Sequence, residues 1–401
     1  MSDDFEPFCQ PASYPGVSVH PKLMHPDMRT EELDEMAHTF VVAAGAAPAA
    51  VIAVAAHTGN DWRIAVGAAG CRSLAQPEAV EANTPFDLAS VTKPIIATTV
   101  ARLVRKRQIS LAAPLGDLLP EIRGTRSETV PLSLFLAHRA GLDAHRSLYL
   151  PLLRGEPVDR VTALREAADA RRPECAGAPP TDGFAPVYSD LGYALLGEGV
   201  SRVAGTPLDE LVAREVALPL GLDVGAAATW FGRDPHFAKR VAPTEVVAFR
   251  GGEIVGAVHD ENAFALTGAH LSGHAGLFGT AESVARFGAA VLDALSGRIP
   301  EWLTPSEIEP LVLPRPGGTL RAGFDGRSET GSSSGSLHGR RSFGHLGFTG
   351  TSVWCDPDQG LVTVILTNRV SPSRENVEIR RVRPLLNDAL CRVGNRLKEA
   401  G

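Results

Sequence analysis

Lysine is nearly absent from this chain. Of its 39 basic residues only five are lysine, Lys22, Lys93, Lys106, Lys239 and Lys398, and the others are arginine. Arginine keeps its proton at any accessible pH, whereas a desolvated lysine can be driven toward the neutral amine. A lysine retained in such a chain is therefore a candidate base. Cysteine is scarce too. The five cysteines are odd in number and show no C-x-x-C spacing, which argues against a disulfide framework or a zinc ribbon and fits a reducing compartment. Beyond Arg102, Arg105, Lys106 and Arg107 there is no long basic stretch, and the formal net charge is -7, so an electrostatic footprint for nucleic acid is missing. Those four cations are read as decorating the negative end of a helix. The one long uncharged run, residues 40–56, is alanine-rich, broken by Gly45 and Pro48, and too short and weakly apolar for a membrane span. The opening Met1-Ser2-Asp3-Asp4-Phe5-Glu6 is acidic and lacks the apolar centre of a secretory signal, so a cytoplasmic location is expected.

What is present is enough for a large core. The chain has 401 residues and 44% hydrophobic content, room for two lobes. After a lead segment, 1–27, a helix is expected over 28–42, followed by strands at 50–56 and 62–68 around the turn Thr58-Gly59-Asn60-Asp61. The far end repeats the pattern. Apolar, β-branched stretches at 343–354 and 361–367 flank the turn Asp356-Pro357-Asp358-Gln359-Gly360, and a helix is expected over about 375–397. Both ends therefore build one sheet flanked by helices, an α/β lobe formed by 28–84 and 276–401. Residues 85–275 have mostly helical periodicity and form an inserted helical lobe. The Gly/Ser-rich stretch 325–339 reads as a flexible connection. It contains the G-x-S-x-G match Gly331 to Gly335 but neither the strand nor the helix that a nucleophile elbow needs.

Three short constellations carry the chemistry. The first is "FDLASVTKP", residues 86–94. Ser90 and Lys93 lie at i and i+3, on one face of a helix, and Pro94 is tolerated in a first turn. Ile95, Ile96, Val100, Leu103 and Val104 continue a helix apolar on most sides, so Lys93 is expected to be desolvated, lowered in pKa, and able to take the Ser90 proton. The plainer reading makes Ser90 an N-cap. In the second, "PVYSDLGYALLGEGV", residues 186–200, Tyr188 meets a new helix for which Asp190 is a good N-cap. A phenol beside a cationic lysine can be drawn toward phenolate and shuttle a proton. In the third, "GHLGFTGTSVWCDP", residues 344–357, Gly347 and Gly350 mark a close approach to the backbone, where the Phe348 N–H could reach an oxyanion.

In this order the motifs resemble those of the class C serine β-lactamases and the related penicillin-binding proteins and esterases, with S-x-x-K, then a Y-S-D variant of Y-x-N, then H-x-G in place of K-T-G. The resemblance spans about residues 40–395 and includes "LFLAHRAGL", "VHDENAFALTGAHLSGHAGLF" and "TNRV". It implies a β-lactamase/transpeptidase-like fold, with an antiparallel sheet flanked by helices, an inserted all-helical lobe, and the site between the lobes. By matching positions, Ser90 is the nucleophile, Lys93 the base and Tyr188 the shuttle. The Ser90 and Phe348 N–H groups form the oxyanion hole, and His345 and Gly347 lie beside the substrate. No metal or cofactor is implied.

Three departures set the expected preference. Asp190 stands where many relatives have asparagine, and a carboxylate near Lys93 would favour the ammonium unless Asp190 caps its helix facing away. Leu346 and His345 replace a hydroxyl and a permanent cation, which weakens carboxylate recognition at that motif. The expected activity is a serine hydrolase working through an acyl-enzyme on a small ester, amide or peptide, with an esterase-like preference. D-Ala-D-Ala carboxypeptidase or β-lactamase activity, acyl transfer, and ligand binding without turnover are the alternatives. His270 and His274 are spaced i, i+4, but Gly273 and Gly276 argue against the continuous helix a metal pair would need, and Asp260 and Glu261 are read as structural hydrogen-bonding residues.

Overall fold

The computed structural model describes residues 30–75 and 77–399; the lead segment 1–27 lies outside the described residues. The chain enters through helix α1 (Thr30–Ala37), which continues as a wider turn to Val42, and then forms strands β1 (Ala49–His57) and β2 (Trp62–Gly70). Five short strands follow: β3 (Phe86–Asp87), β4 (Val224–Ala226), β5 (Val246–Val247), β6 (Gly252–Glu253) and β7 (Leu277–Gly279). The last four are β8 (Asp325–Gly326), β9 (Phe343–Leu346), β10 (Ser352–Asp356) and β11 (Leu361–Thr367). The helices that matter for the site are α2 (Thr92–Arg105), α3 (Asp190–Ala204), α4 (Ala281–Leu295) and α5 (Ile379–Glu399).

The main sheet is antiparallel, in the order β2-β1-β11-β10-β9-β8. Strands from the two ends of the chain meet inside it, where Ala50 of β1 pairs with Thr367 of β11 and Ala56 with Leu361. The β1 sequence AAVIAVAAH does not alternate polar and apolar residues because both of its faces are covered. Val51, Ala53 and Ala55 join the core beneath α4, while Ile52, Val54 and Ala56 join Leu33 of α1 and Leu386 and Leu390 of α5 on the other face. Glycines let both covering helices settle close to the sheet. A Cβ at Gly288 would come within 2.6 Å of Val362, and one at Gly394 within 2.6 Å of Leu361.

Between β2 and β8 the chain is mostly helical, with two small additions that periodicity did not reveal. One is the sheet β3-β7-β4, and the other is the hairpin β5-β6. The expected strand at 343–354 is in fact two strands, β9 and β10, paired across a tight turn at 347–351 with Ser352 opposite Leu346. The Gly/Ser-rich stretch, expected to be a flexible connection, is docked on α5. Asp388 accepts hydrogen bonds from the N–H groups of Ser336 and Leu337, and Ser332 and Ser334 are buried. The four cysteines among the described residues are free thiols. Among the described residues, no helix is long and apolar enough to cross a membrane.

Candidate active site

Ser90 sits in a 3-10 turn, Ala89–Val91, that leads directly into α2. The residue before it is unusual. Ala89 has φ 47°, a left-handed conformation that a side chain with a Cβ rarely adopts. One carboxylate holds it there: the Ala89 N–H donates to Asp87 Oδ1 at 2.8 Å, and the other Asp87 oxygen is anchored by the His259 N–H at 2.7 Å. Asp87 is fully buried, and burial pushes its carboxyl above the usual range.

The packing of α2 on most sides places Lys93, in the helix's first turn, at 0% exposure. Its Nζ reaches Ser90 Oγ at 2.8 Å, Tyr188 Oη at 2.6 Å, Asp190 Oδ1 at 2.7 Å and the His274 carbonyl at 3.3 Å. The structure therefore brings together the serine, the lysine and the tyrosine that the motifs singled out. It also corrects the expected charge state. Burial works against the Lys93 ammonium, but Asp190 and then Tyr188 outweigh it, so the lysine is raised above its ordinary value of 10.5. Tyr188 is likewise not drawn toward phenolate. Burial raises its phenol above 10.0 despite the adjacent Lys93.

The cause lies at the start of α3. Asp190 was expected to be a good N-cap, which would have left open the option of its facing away from Lys93. Ser189 takes the cap instead, its Oγ accepting the Gly192 N–H at 3.3 Å and donating to the Asp143 carbonyl at 2.6 Å. The next side chain is then free to turn inward, and Asp190 pairs with Lys93. A residue without an assigned role in the sequence completes this wall. His138, at φ 58°, stacks on Tyr188 with ring centroids 4.9 Å apart and accepts the Ser189 N–H on Nδ1 at 3.1 Å. Burial, then Lys93 and His345, hold it well below 6.5, so its ring is neutral.

The third motif lies across from Ser90 at the end of β9. A Cβ at Gly347 would meet the Leu88 carbonyl at 2.6 Å and Thr351 Oγ1 at 1.9 Å, so only glycine allows the strand to come this close to the serine turn. Thr349 Oγ1 and Thr351 Oγ1 donate to the carbonyls of Asp87 and Leu88, which ties the two loops together. Among the described residues, neither the Ser90 N–H nor the Phe348 N–H has a hydrogen-bond acceptor. Arg369 donates from Nε to the Phe348 carbonyl at 2.7 Å and fixes that peptide. His345 is buried, its Nδ1 lies 2.8 Å from the Leu346 carbonyl, and burial, then Lys93, push it down to about 3. A neutral ring that donates from Nδ1 leaves the lone pair on Nε2, a tautomer assigned from that partner.

These elements enclose a cleft of about 350 Å³ lined by Ser90, Tyr188, Asp190, His345, Phe348 and Arg383 among others. A separate groove of about 520 Å³, bordered by Glu198, Asp209 and His270, contains none of Ser90, Lys93, Tyr188, Asp190, His345, Gly347 and Phe348. His270 pairs there with Asp209, while His274 pairs with Asp260 and Ser272, so the two histidines serve different partners. Asp260 also caps the helix Glu261–Thr267. Arg380 and Arg383 of α5 reach the cleft without any signal in the sequence, because which face of a terminal helix meets a site is decided by its docking.

Comparison with known proteins agrees with this geometry. The sequence profile of the family described as Beta-lactamase matches residues 36–387. The chain is 28% identical over 408 aligned positions to the N-acetylmuramyl-L-alanine amidase of Bacillus subtilis (strain 168), covering 91% of this chain and 87% of that one. It is 34% identical to Esterase EstB of Burkholderia gladioli over 280 positions, 63% of this chain and 68% of the esterase. Among solved structures, EstCE1, a hydrolase with promiscuous acyltransferase activity, superposes with a TM-score of 0.63 at 21% identity, over 88% of this chain and 97% of its own. A profile match across most of the chain, together with the shared fold, places this protein in the beta-lactamase family as a serine hydrolase.

Proposed function

We propose that the protein cleaves an ester or amide through an acyl-enzyme on Ser90, with a preference for esters. The observation that carries this reading is the contact of one buried ammonium, Lys93, with Ser90 Oγ, Tyr188 Oη and Asp190. The resting cluster holds one proton too many for attack. Loss of that proton from Lys93 leaves a neutral amine beside Ser90 Oγ, which takes the serine proton as the oxygen bonds to the acyl carbon. The Ser90 and Phe348 N–H groups, both without acceptors among the described residues, stabilise the oxyanion. Collapse breaks the bond to the leaving group, which receives its proton through Tyr188, and water then repeats the cycle on the acyl-serine. Residues 28–84 with 276–401 are taken as one lobe and 85–275 as the other. The cleft draws on both.

The ester preference rests on Leu346 and His345. Neither a leucine nor a neutral imidazole offers the hydroxyl and fixed charge that would hold a carboxylate at this motif. Amide cleavage is the second reading, supported by the named activity of the Bacillus subtilis relative. The test is labelling with a fluorophosphonate and turnover of p-nitrophenyl acetate, each against Ser90→Ala. Adduct mapping to Ser90, with turnover that depends on it, is expected; an adduct mapping elsewhere would sink the assignment.

A further inference from the structure

Arg383, on the second turn of α5, is only 6% exposed and lines the Ser90 cleft. Its Nη2 makes one long hydrogen bond, 3.3 Å to the Thr351 carbonyl, and its Nε has no partner among the described residues. The charges acting on it come from Arg369 and Arg380, both of the same sign. Both also line the cleft. The Arg369 donors that are engaged reach only carbonyls, of Phe348, Arg374 and Asn376. The neighbouring Arg374 shows what this part of the fold does with a cation that has no ligand to wait for: it is paired with both Glu245 and Glu261.

A buried guanidinium without a counter-ion is costly, and the buried Arg369 and the exposed Arg380 around the same cavity repel it further. The carboxylates that share the cleft do not relieve this. Asp190 is committed to Lys93, and Asp325 accepts the Gly326 N–H while burial raises it above the usual range. The first turn of α5 adds the positive end of a helix of 21 residues to the same wall. We infer that this wall is a subsite for an anionic group, carboxylate or phosphate, on the ester or amide that Ser90 attacks, held by Arg383 and Arg380. It replaces the recognition lost at Leu346 and His345 and moves it to the C-terminal helix. The inference rests on the acyl-enzyme reading above.

The test uses matched esters. p-Nitrophenyl butyrate is compared with mono-p-nitrophenyl glutarate, which adds a terminal carboxylate on the acyl side, and phenyl acetate with 3-carboxyphenyl acetate, which adds one on the leaving group. The charged member of at least one pair is expected to show a kcat/KM roughly ten- to a hundredfold higher, the range of a charge-assisted hydrogen bond. Arg383→Gln and, independently, the exposed Arg380→Gln are each expected to cut that ratio by tenfold or more. Thermal melts check folding, and the Arg380 variant carries the test if Arg383→Gln does not fold. Glutarate and inorganic phosphate, each tested as an inhibitor at constant ionic strength against sodium chloride, separate the two anions, since the stronger one names the group. Ratios near one in both pairs, or a ratio that neither arginine variant moves, overturn the subsite while leaving Ser90 chemistry standing. Turnover that survives Ser90→Ala overturns the hydrolase reading instead.

Discussion

The two ends of one cleft treat buried positive charge in opposite ways. Lys93 is enclosed by Asp190, Tyr188 and Ser90, so its charge is satisfied within the protein. Arg383 is almost as deeply buried and, among the described residues, pairs with no carboxylate. A cation with an internal partner is set up to exchange a proton among fixed neighbours. One without a partner is set up to receive something from outside. Residue choice follows the same division, since lysine can lose its proton and arginine cannot.

Four experiments test this contrast. The largest effect belongs to Ser90→Ala, which is expected to lower kcat by roughly 10⁴- to 10⁶-fold. Lys93→Arg carries the charge type of one end to the other. It keeps a cation but removes the base, and kcat is expected to fall by roughly 10²- to 10⁴-fold in stopped or continuous ester assays; near wild-type turnover would show that Lys93 is only a structural cation. Asp190→Asn keeps the shape and removes the counter-ion. Lys93 then loses the interaction that raises it, so the acid limb of the kcat/KM profile is expected to move to lower pH by about one unit or more. An unmoved limb would mean that another group controls it. Gly347→Ala tests the crossing between the two ends, and the collision with Leu88 and Thr351 is expected to cost about 1–3 kcal/mol in urea denaturation and to slow turnover as well.

A last test reads stability against pH. His345 falls to about 3 and His338 to about 4 in the folded chain, while the unfolded chain binds protons near the ordinary 6.5. A base lowered by folding stabilises above its unfolded value, so stability is expected to fall as pH drops from about 6.5 toward 3. Lys93 acts at the other edge. Raised above 10.5, it contributes fully below that value and is lost as pH rises through its folded value, and Tyr188, raised above 10.0, adds to the same decline. Urea midpoints measured from pH 4 to 11 should show a plateau between these limits. A steady rise through pH 11 would contradict the Lys93 pairing.

The sequence made the long sheet readable because β1, β2 and β11 are apolar runs set off by turn residues. Strands of two or three residues such as β3 and β4 are too short to show a period. The serine, lysine and tyrosine were legible because S-x-x-K and Y-S-D are local patterns whose members share one helix face or one helix start. The sign of the Lys93 shift was not, because it hangs on Ser189 rather than Asp190 taking the cap, a choice between two adjacent good cap residues. The arginine wall was hidden for a different reason. Arg380 and Arg383 read as one strip of a polar terminal helix until α5 is docked on β1 and β11, which brings its first turns against the turn that follows β9.

The pairing of β1 with β11 has a consequence for the order in which the protein is made. Ala50 leaves the ribosome more than three hundred residues before its partner Thr367, and Ser90 long before the Phe348 peptide that faces it. Contacts of such wide sequence separation form late and slowly. On the acyl-enzyme reading proposed above, a growing chain carries Ser90 and Lys93 from early on, yet has no second oxyanion donor until the segment near residue 348 emerges and no paired β1–β11 until β11 follows. On that reading, competence for catalysis arrives only near the end of synthesis, and a chain cut short before β11 is expected to be inert as well as unstable.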